Sequence, residues 1–155
     1  NATQRRDIVA TNQGSGVWRR VVDDYRTRQV IFEVKNYANI GVDEFRQVFG
    51  YLGREYGDLA FIICRDAEFG LRKGAELDAF REFYNKGKLI IKFPAQQLVT
   101  ILSKLRSPEK VDAGELAVER LLDVYVRMYA AGQSDVASSN QTRRRDRKGS
   151  GRSGR

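Results

Sequence analysis

Glu33 and Lys35 stand two residues apart at the end of Val30-Ile31-Phe32-Glu33-Val34-Lys35, a run whose β-branched and aromatic residues predict a strand. Side chains two apart on a strand leave the same face, so a carboxylate and an ammonium sit side by side while Val34 points the other way. A second acidic residue, Asp7, opens the short apolar stretch Asp7-Ile8-Val9-Ala10, one predicted helix earlier in the chain. A Glu-x-Lys triplet alone is common. Three charged groups on core strands need a reason, because burying charges without partners is expensive. A Mg²⁺ or Mn²⁺ ion supplies one, since Mg²⁺ takes one or two carboxylates, keeps several waters and cancels the repulsion between two acids. With Asp7, Glu33 and the Val34 carbonyl holding the ion, Lys35 can orient or activate a water and neutralise charge growing on a phosphate. The chemistry that this predicts is phosphodiester hydrolysis. The bland alternative is a surface ion pair on an edge strand beside an unrelated Asp7.

Composition narrows the field. There is no histidine, which removes Ser-His-Asp hydrolysis, histidine-metal nucleases and most zinc sites. The single cysteine, Cys64, lies inside an apolar run and reads as a small core residue in a reducing, cytoplasmic setting. No apolar run approaches the roughly 20 residues needed to cross a bilayer. Net charge is +8, but residues 134–155 hold seven Lys and Arg against two Asp, so five of the eight charges lie there. Basicity of the body is therefore a weak argument for nucleic acid. The 155 residues suit one domain, expected over 1–133 and followed by a disordered basic tail over 134–155, in which Arg143, Arg144, Arg145 and Arg147 would attract any polyanion. The first residue is Asn, and the chain reads as part of something longer.

The elements that must position the site follow from periodicity. Trp18, Val21, Val22 and Tyr25 mark one face of a helix, with Arg19, Arg20, Asp23 and Arg26 opposite. Val42, Phe45, Val48, Phe49 and Leu52 predict a helix through about residue 56, with Gly57 as its left-handed stop. Leu59 to Cys64 is a continuous apolar run, the signature of a strand covered on both faces. A helix over Leu71 to Asn85, a strand over Leu89 to Phe93 ended by Pro94, and a helix over Gln96 to Leu105 complete the alternation. Asp112-x-x-Glu115 resembles a capping box before a helix reaching about Tyr129, whose apolar residues cover more than one face. That breadth leaves three partners open: this domain, a missing N-terminal region, or a second copy of the chain. The succession predicts an α/β layered domain with a mixed central sheet of about four strands, flanked by helices, plus an extra C-terminal helix.

Asp7, then Glu33-Val34-Lys35, then Gln47-x-x-x-Tyr51 occur in an order that resembles the PD-(D/E)XK nuclease superfamily. A Gln-x-x-x-Tyr on the helix after the motif is similar to RecB-type members, and the later strand and short helix look like Mrr-type restriction endonucleases. The resemblance covers about residues 5 to 105. It implies a restriction endonuclease-like core, an Mg²⁺-dependent deoxyribonuclease, catalytic roles for Asp7, Glu33, Lys35 and Gln47, and DNA rather than RNA as substrate, in a bacterial restriction or antiviral defence setting. Tyr51 would support the site or contact nucleic acid. Arg6 stands where the family has Pro, and the family's N-terminal helix with its metal-binding Glu lies outside this sequence. Asn36 and Tyr37 follow Lys35 directly, Arg65 ends the next strand, and Arg72-Lys73 opens a helix where cations oppose the dipole; each is a candidate nucleic-acid contact. The rival expectation is a catalytically inactive module of the same fold that binds nucleic acid or protein, and a third is assembly through the C-terminal helix.

Overall fold

A computed structural model of the chain describes residues 8–53, 55–67, 70–71, 74–104, 106–107 and 112–130. Their elements run in the order β1 (Ile8–Thr11), α1 (Val17–Tyr25), β2 (Gln29–Val34), α2 (Val42–Tyr51), β3 (Leu59–Cys64), α3 (Ala75–Asn85), β4 (Leu89–Pro94), α4 (Ala95–Lys104) and α5 (Ala113–Val124). A π-helical stretch, Tyr125–Ala130, continues α5. The strands form one mixed sheet in chain order: β1 is antiparallel to β2, while β2, β3 and β4 are parallel. Parallel neighbours require crossovers, and α2 and α3 supply them.

Alternation along β3 sorts the core into two layers. Ala60, Ile62 and Cys64, with Ile31 and Ile90, face Phe45 and Val48 of α2, Leu52 just beyond it, and Ala79 and Phe83 of α3. Leu59 and Phe61, with Val30, Leu89, Ile91 and Phe93, face Val17 and Val21 of α1 and Val118, Leu121 and Leu122 of α5. Phe61 stacks on Phe32 at 5.2 Å and meets Trp18 edge-on at 6.4 Å. The outer edge of β4 is closed by Tyr125, whose Oη accepts the Lys92 N–H at 3.0 Å and donates to the Lys92 carbonyl at 3.3 Å. Tyr125 thus occupies the outward backbone groups of Lys92 on that edge.

Much of the apolar surface of the C-terminal helix packs within this chain. Val118, Leu121, Leu122 and Tyr125 are buried in the core, while Leu116 stays half exposed. Several boundaries differ from expectation for identifiable reasons. α2 ends at Tyr51, where Leu52 turns extended, so Gly57 is not its stop. Gly57 instead pairs back on Gly53 and, at φ +75°, passes so close to Arg26 and Thr27 that a Cβ would lie 2.6 Å from the Arg26 carbonyl. α3 starts at Ala75 rather than Leu71, and Pro94 is the last paired residue of β4, with α4 beginning at the next residue. Asp112 caps α5 with no side-chain bond, and Glu115 is pressed against Gly16 instead of closing a box. A box-like contact forms at α2, where Glu44 Oε2 accepts the Gly41 N–H at 2.7 Å. The expected basic tail over 134–155 lies outside the described residues.

Candidate active site

The carboxyl ends of β2 and β3 and one face of α2 build the site. Glu33 shares its sheet face with Ile31, the face that α2 covers, and is 1% exposed. Its Oε1 lies 2.6 Å from Lys35 Nζ. The Lys35 ammonium also donates to Gln47 Oε1 at 3.0 Å, and Gln47 Nε2 donates to Tyr51 Oη at 2.8 Å. Gln47 and Tyr51 are four apart on α2, which places both on one helix face. The structure therefore brings together Glu33, Lys35, Gln47 and Tyr51 as one hydrogen-bonded row from strand to helix.

Val34 faces the opposite layer, but its carbonyl has a direction of its own. The Lys35 N–H donates to the Ile63 carbonyl at 2.8 Å. Backbone groups alternate sides along a strand, so the Val34 carbonyl turns away from β3, toward the side of β1. The last described pair on that side is Ile8 with Phe32. Asp7 precedes Ile8 in sequence and lies outside the described residues, as do Arg72 and Lys73.

Beyond Lys35 the chain makes a turn to α2. Asn36 and Tyr37 are exposed there, and so is Arg65 at the end of β3, whose N–H donates to the Tyr37 carbonyl at 3.1 Å. The Tyr37 hydroxyl donates to Glu44 Oε1 at 2.8 Å. Partial desolvation, this bond and the charges of Glu44 and Glu33 push the Tyr37 phenol up to about 12. Burial works to raise the Glu44 carboxyl, but bonds from the Gly41 N–H and Tyr37 and the nearby Lys35 charge outweigh it and hold Glu44 low. The Cys64 thiol, buried on the same face, is pushed up chiefly by desolvation, which suits a core residue rather than a nucleophile.

In chemical type the Glu33 carboxylate and the Val34 carbonyl fit a hard divalent cation, which takes oxygen ligands and retains waters. Among the described residues no three Asp, Glu or Cys side chains come together to hold a metal ion. The second carboxylate assigned from sequence is Asp7, outside that set.

Sequence reading missed a second group of buried charges on the same face: Lys92, Asp66 and Glu76, which are 2%, 8% and 6% exposed. The signal was present in Leu89-Ile90-Ile91-Lys92-Phe93, where a lysine interrupts a strand that is otherwise apolar.

Comparison with known proteins gives one relative of note. The chain is 45% identical over 147 residues to the Escherichia coli (strain K12) protein named "Putative transposon gamma-delta 80.3 kDa protein". The match takes in 94% of this chain and 20% of the relative, so the chain spans about a fifth of that protein's length. No family model and no solved structure matches the chain.

Proposed function

We propose that this chain carries the centre of a PD-(D/E)XK-type, Mg²⁺- or Mn²⁺-dependent endonuclease that hydrolyses DNA phosphodiester bonds on a restriction endonuclease-like core. The observation that carries the reading is the Glu33–Lys35 pair, buried at 2.6 Å and held from α2 by Gln47. The Glu33–Lys35 contact itself lies within one strand, and a buried ion pair is a weak stabiliser, so holding the fold is a poor account of its desolvation. A site that needs a carboxylate and an amine at one strand end accounts for it.

In this reading Asp7, Glu33 and the Val34 carbonyl hold the ion, which supplies charge stabilisation at the phosphate and makes water more acidic. Lys35 orients the attacking water and balances negative charge as it develops on the phosphate oxygens. Gln47 fixes the Lys35 ammonium, and Tyr51 fixes Gln47. Asn36, Tyr37 and Arg65 are exposed beside this centre, where a nucleic-acid backbone would pass. The relative's name refers to a transposon, which supports DNA over RNA and sets a mobile-element context beside the restriction or defence context that the motif implies.

A non-catalytic module of the same fold is the competing reading, favoured by the direct closure of Glu33 onto Lys35. Plasmid digestion separates the two. With Mg²⁺ the protein is expected to cut, EDTA to stop it, and Glu33→Ala or Lys35→Ala to lose at least about 100-fold in rate. Folded variants that cut as fast as the parent would refute the assignment. DNA binding with no metal-dependent cutting by the parent would favour the module.

A further inference from the structure

Lys92 lies in register with Glu33: Glu33 pairs with Ile62, and Ile62 with Lys92, which puts the two charged residues about 10 Å apart on one face. Its Nζ is 3.3 Å from Asp66 Oδ2 and 3.9 Å from Glu76 Oε2. The other Asp66 oxygen, Oδ1, accepts the N–H of Asn39, a residue in the left-handed region at φ 61°. Asn39 belongs to the turn that leaves Lys35 and enters α2, the same turn that presents Asn36 and Tyr37. A chain of contacts therefore runs from the far strand of the sheet, through Asp66, to the segment next to Lys35.

A buried ion pair is a weak stabiliser, and well-packed apolar residues in its place are often neutral or better. Lys92 and Asp66 join segments 26 residues apart, which apolar packing could do as well. Fixing a turn beside a reactive centre explains them, since such a centre loses rate when its support is loose. We propose that Lys92 and Asp66 are a positioning pair: Lys92 orients the Asp66 carboxylate, Asp66 fixes Asn39, and the turn from Lys35 to Ile40 is thereby set against the substrate. The first half of this inference stands on the contacts alone, and the last clause rests on the nuclease reading. Neither residue touches the reacting atoms.

The test reads backbone and chemistry separately. Asp66→Leu removes the acceptor; Lys92→Met/Asp66→Leu removes both charges and serves if the single variant does not fold; Asp66→Asn keeps an acceptor oxygen for Asn39. Amide hydrogen exchange is followed at Asn39 and across β3, and kcat and KM are measured on plasmid. Exchange at Asn39 is expected to speed up at least about tenfold in the Leu variants, with β3 unchanged and Asp66→Asn near the parent. On plasmid, kcat is expected to fall about 10- to 100-fold at nearly constant KM, with partial rescue in Asp66→Asn. Unchanged exchange at Asn39, or equal acceleration throughout β3, overturns the proposal. If the parent cuts and a variant with a loosened Asn39 keeps parental kcat, the positioning role fails and the nuclease reading stands. If the parent never cuts but Asn39 alone loosens, the hold on the turn stands and the nuclease reading fails.

Discussion

Both ends of the sheet bury a carboxylate against cations, and they do so in different ways. At the amino ends Asp58 receives Nε and Nη2 of Arg26 at 2.8 and 2.5 Å, while Lys88 closes on its other oxygen. Those partners lie 32 and 30 residues away, so one carboxylate joins the end of α1 to the starts of β3 and β4. Thr27, fully buried beside it, accepts the Asp58 and Leu59 N–H groups, each at 3.1 Å, and donates to the Tyr25 carbonyl at 2.9 Å. At the carboxyl ends Glu33 meets a cation two residues along its own strand. The first contact is a tertiary staple between distant segments, and the second lies within a single strand. Burial of charge points to a candidate site most directly where the contact joins no distant segments.

Removing the strand pair as a unit, and the staple's carboxylate alone, breaks the comparison most directly. Glu33→Gln/Lys35→Met is expected to lose metal-dependent cutting by at least about 100-fold. Its stability should stay within about 1 kcal/mol of the parent, because a buried pair replaced as a unit leaves no lone charge. Asp58→Ala is expected to do the reverse. It leaves Arg26 and Lys88 without their carboxylate and, since Arg26 is mostly exposed, should lower stability by about 2 kcal/mol, with kcat of the folded protein unchanged. Thermal melts and plasmid kinetics on the two variants decide it; a large Tm loss in the first or a large kcat loss in the second would reverse the roles assigned here.

The pH dependence of stability sharpens the same contrast at lower amplitude. Burial works to raise the Asp58 carboxyl, but the bonds and charges of Lys88 and Arg26 outweigh it and hold the folded value low. A carboxyl depressed in the folded state contributes stability above its unfolded value, about 3.9, and loses it as pH falls through the folded value. Tm is expected to be level from pH 7 to about 5 and to drop below about 4. The deficit of Asp58→Ala, full at pH 5, should shrink over that lower range. A deficit constant down to pH 2 would show that packing, rather than charge, makes the staple.

How much of this was legible in sequence depended on the range of the cause. β2, β3 and β4 were read to within a residue or so because alternation and β-branching act locally, and the apolar Leu59–Cys64 strand is indeed covered on both faces. Glu33 and Lys35 share a face for the same local reason, and the spacing of Gln47 and Tyr51 put them on one helix side. Gly57 was misassigned because its positive φ serves a crossing with Arg26 and Thr27, some 30 residues earlier, which no local pattern displays. Glu115 looked like a capping residue and Glu44 did not, although Glu44 makes the contact; the choice is set by Tyr37 and Gly41, which converge on it in three dimensions. Lys92 was passed over because the partners that permit its burial, Asp66 and Glu76, lie 26 and 16 positions away.

The smallest expected effect isolates the helix side of the site. Tyr51 Oη accepts from Gln47 Nε2, and Gln47 in turn accepts from Lys35, so one route from Tyr51 to the amine runs through Gln47. Tyr51→Phe removes the hydroxyl that accepts from Gln47 and leaves the ring in place against the α2 layer. The net worth of one such hydrogen bond is about 1 kcal/mol. If all of it serves to orient Lys35, kcat should fall about fivefold, since each 1.36 kcal/mol is tenfold in rate. Gln47→Ala, which deprives Lys35 of its acceptor on α2, should fall further, and Gln47→Ala/Tyr51→Phe should be no worse than Gln47→Ala alone. Additive losses in that double variant would mean that Tyr51 acts independently of Gln47, for instance through its own contact with the nucleic acid.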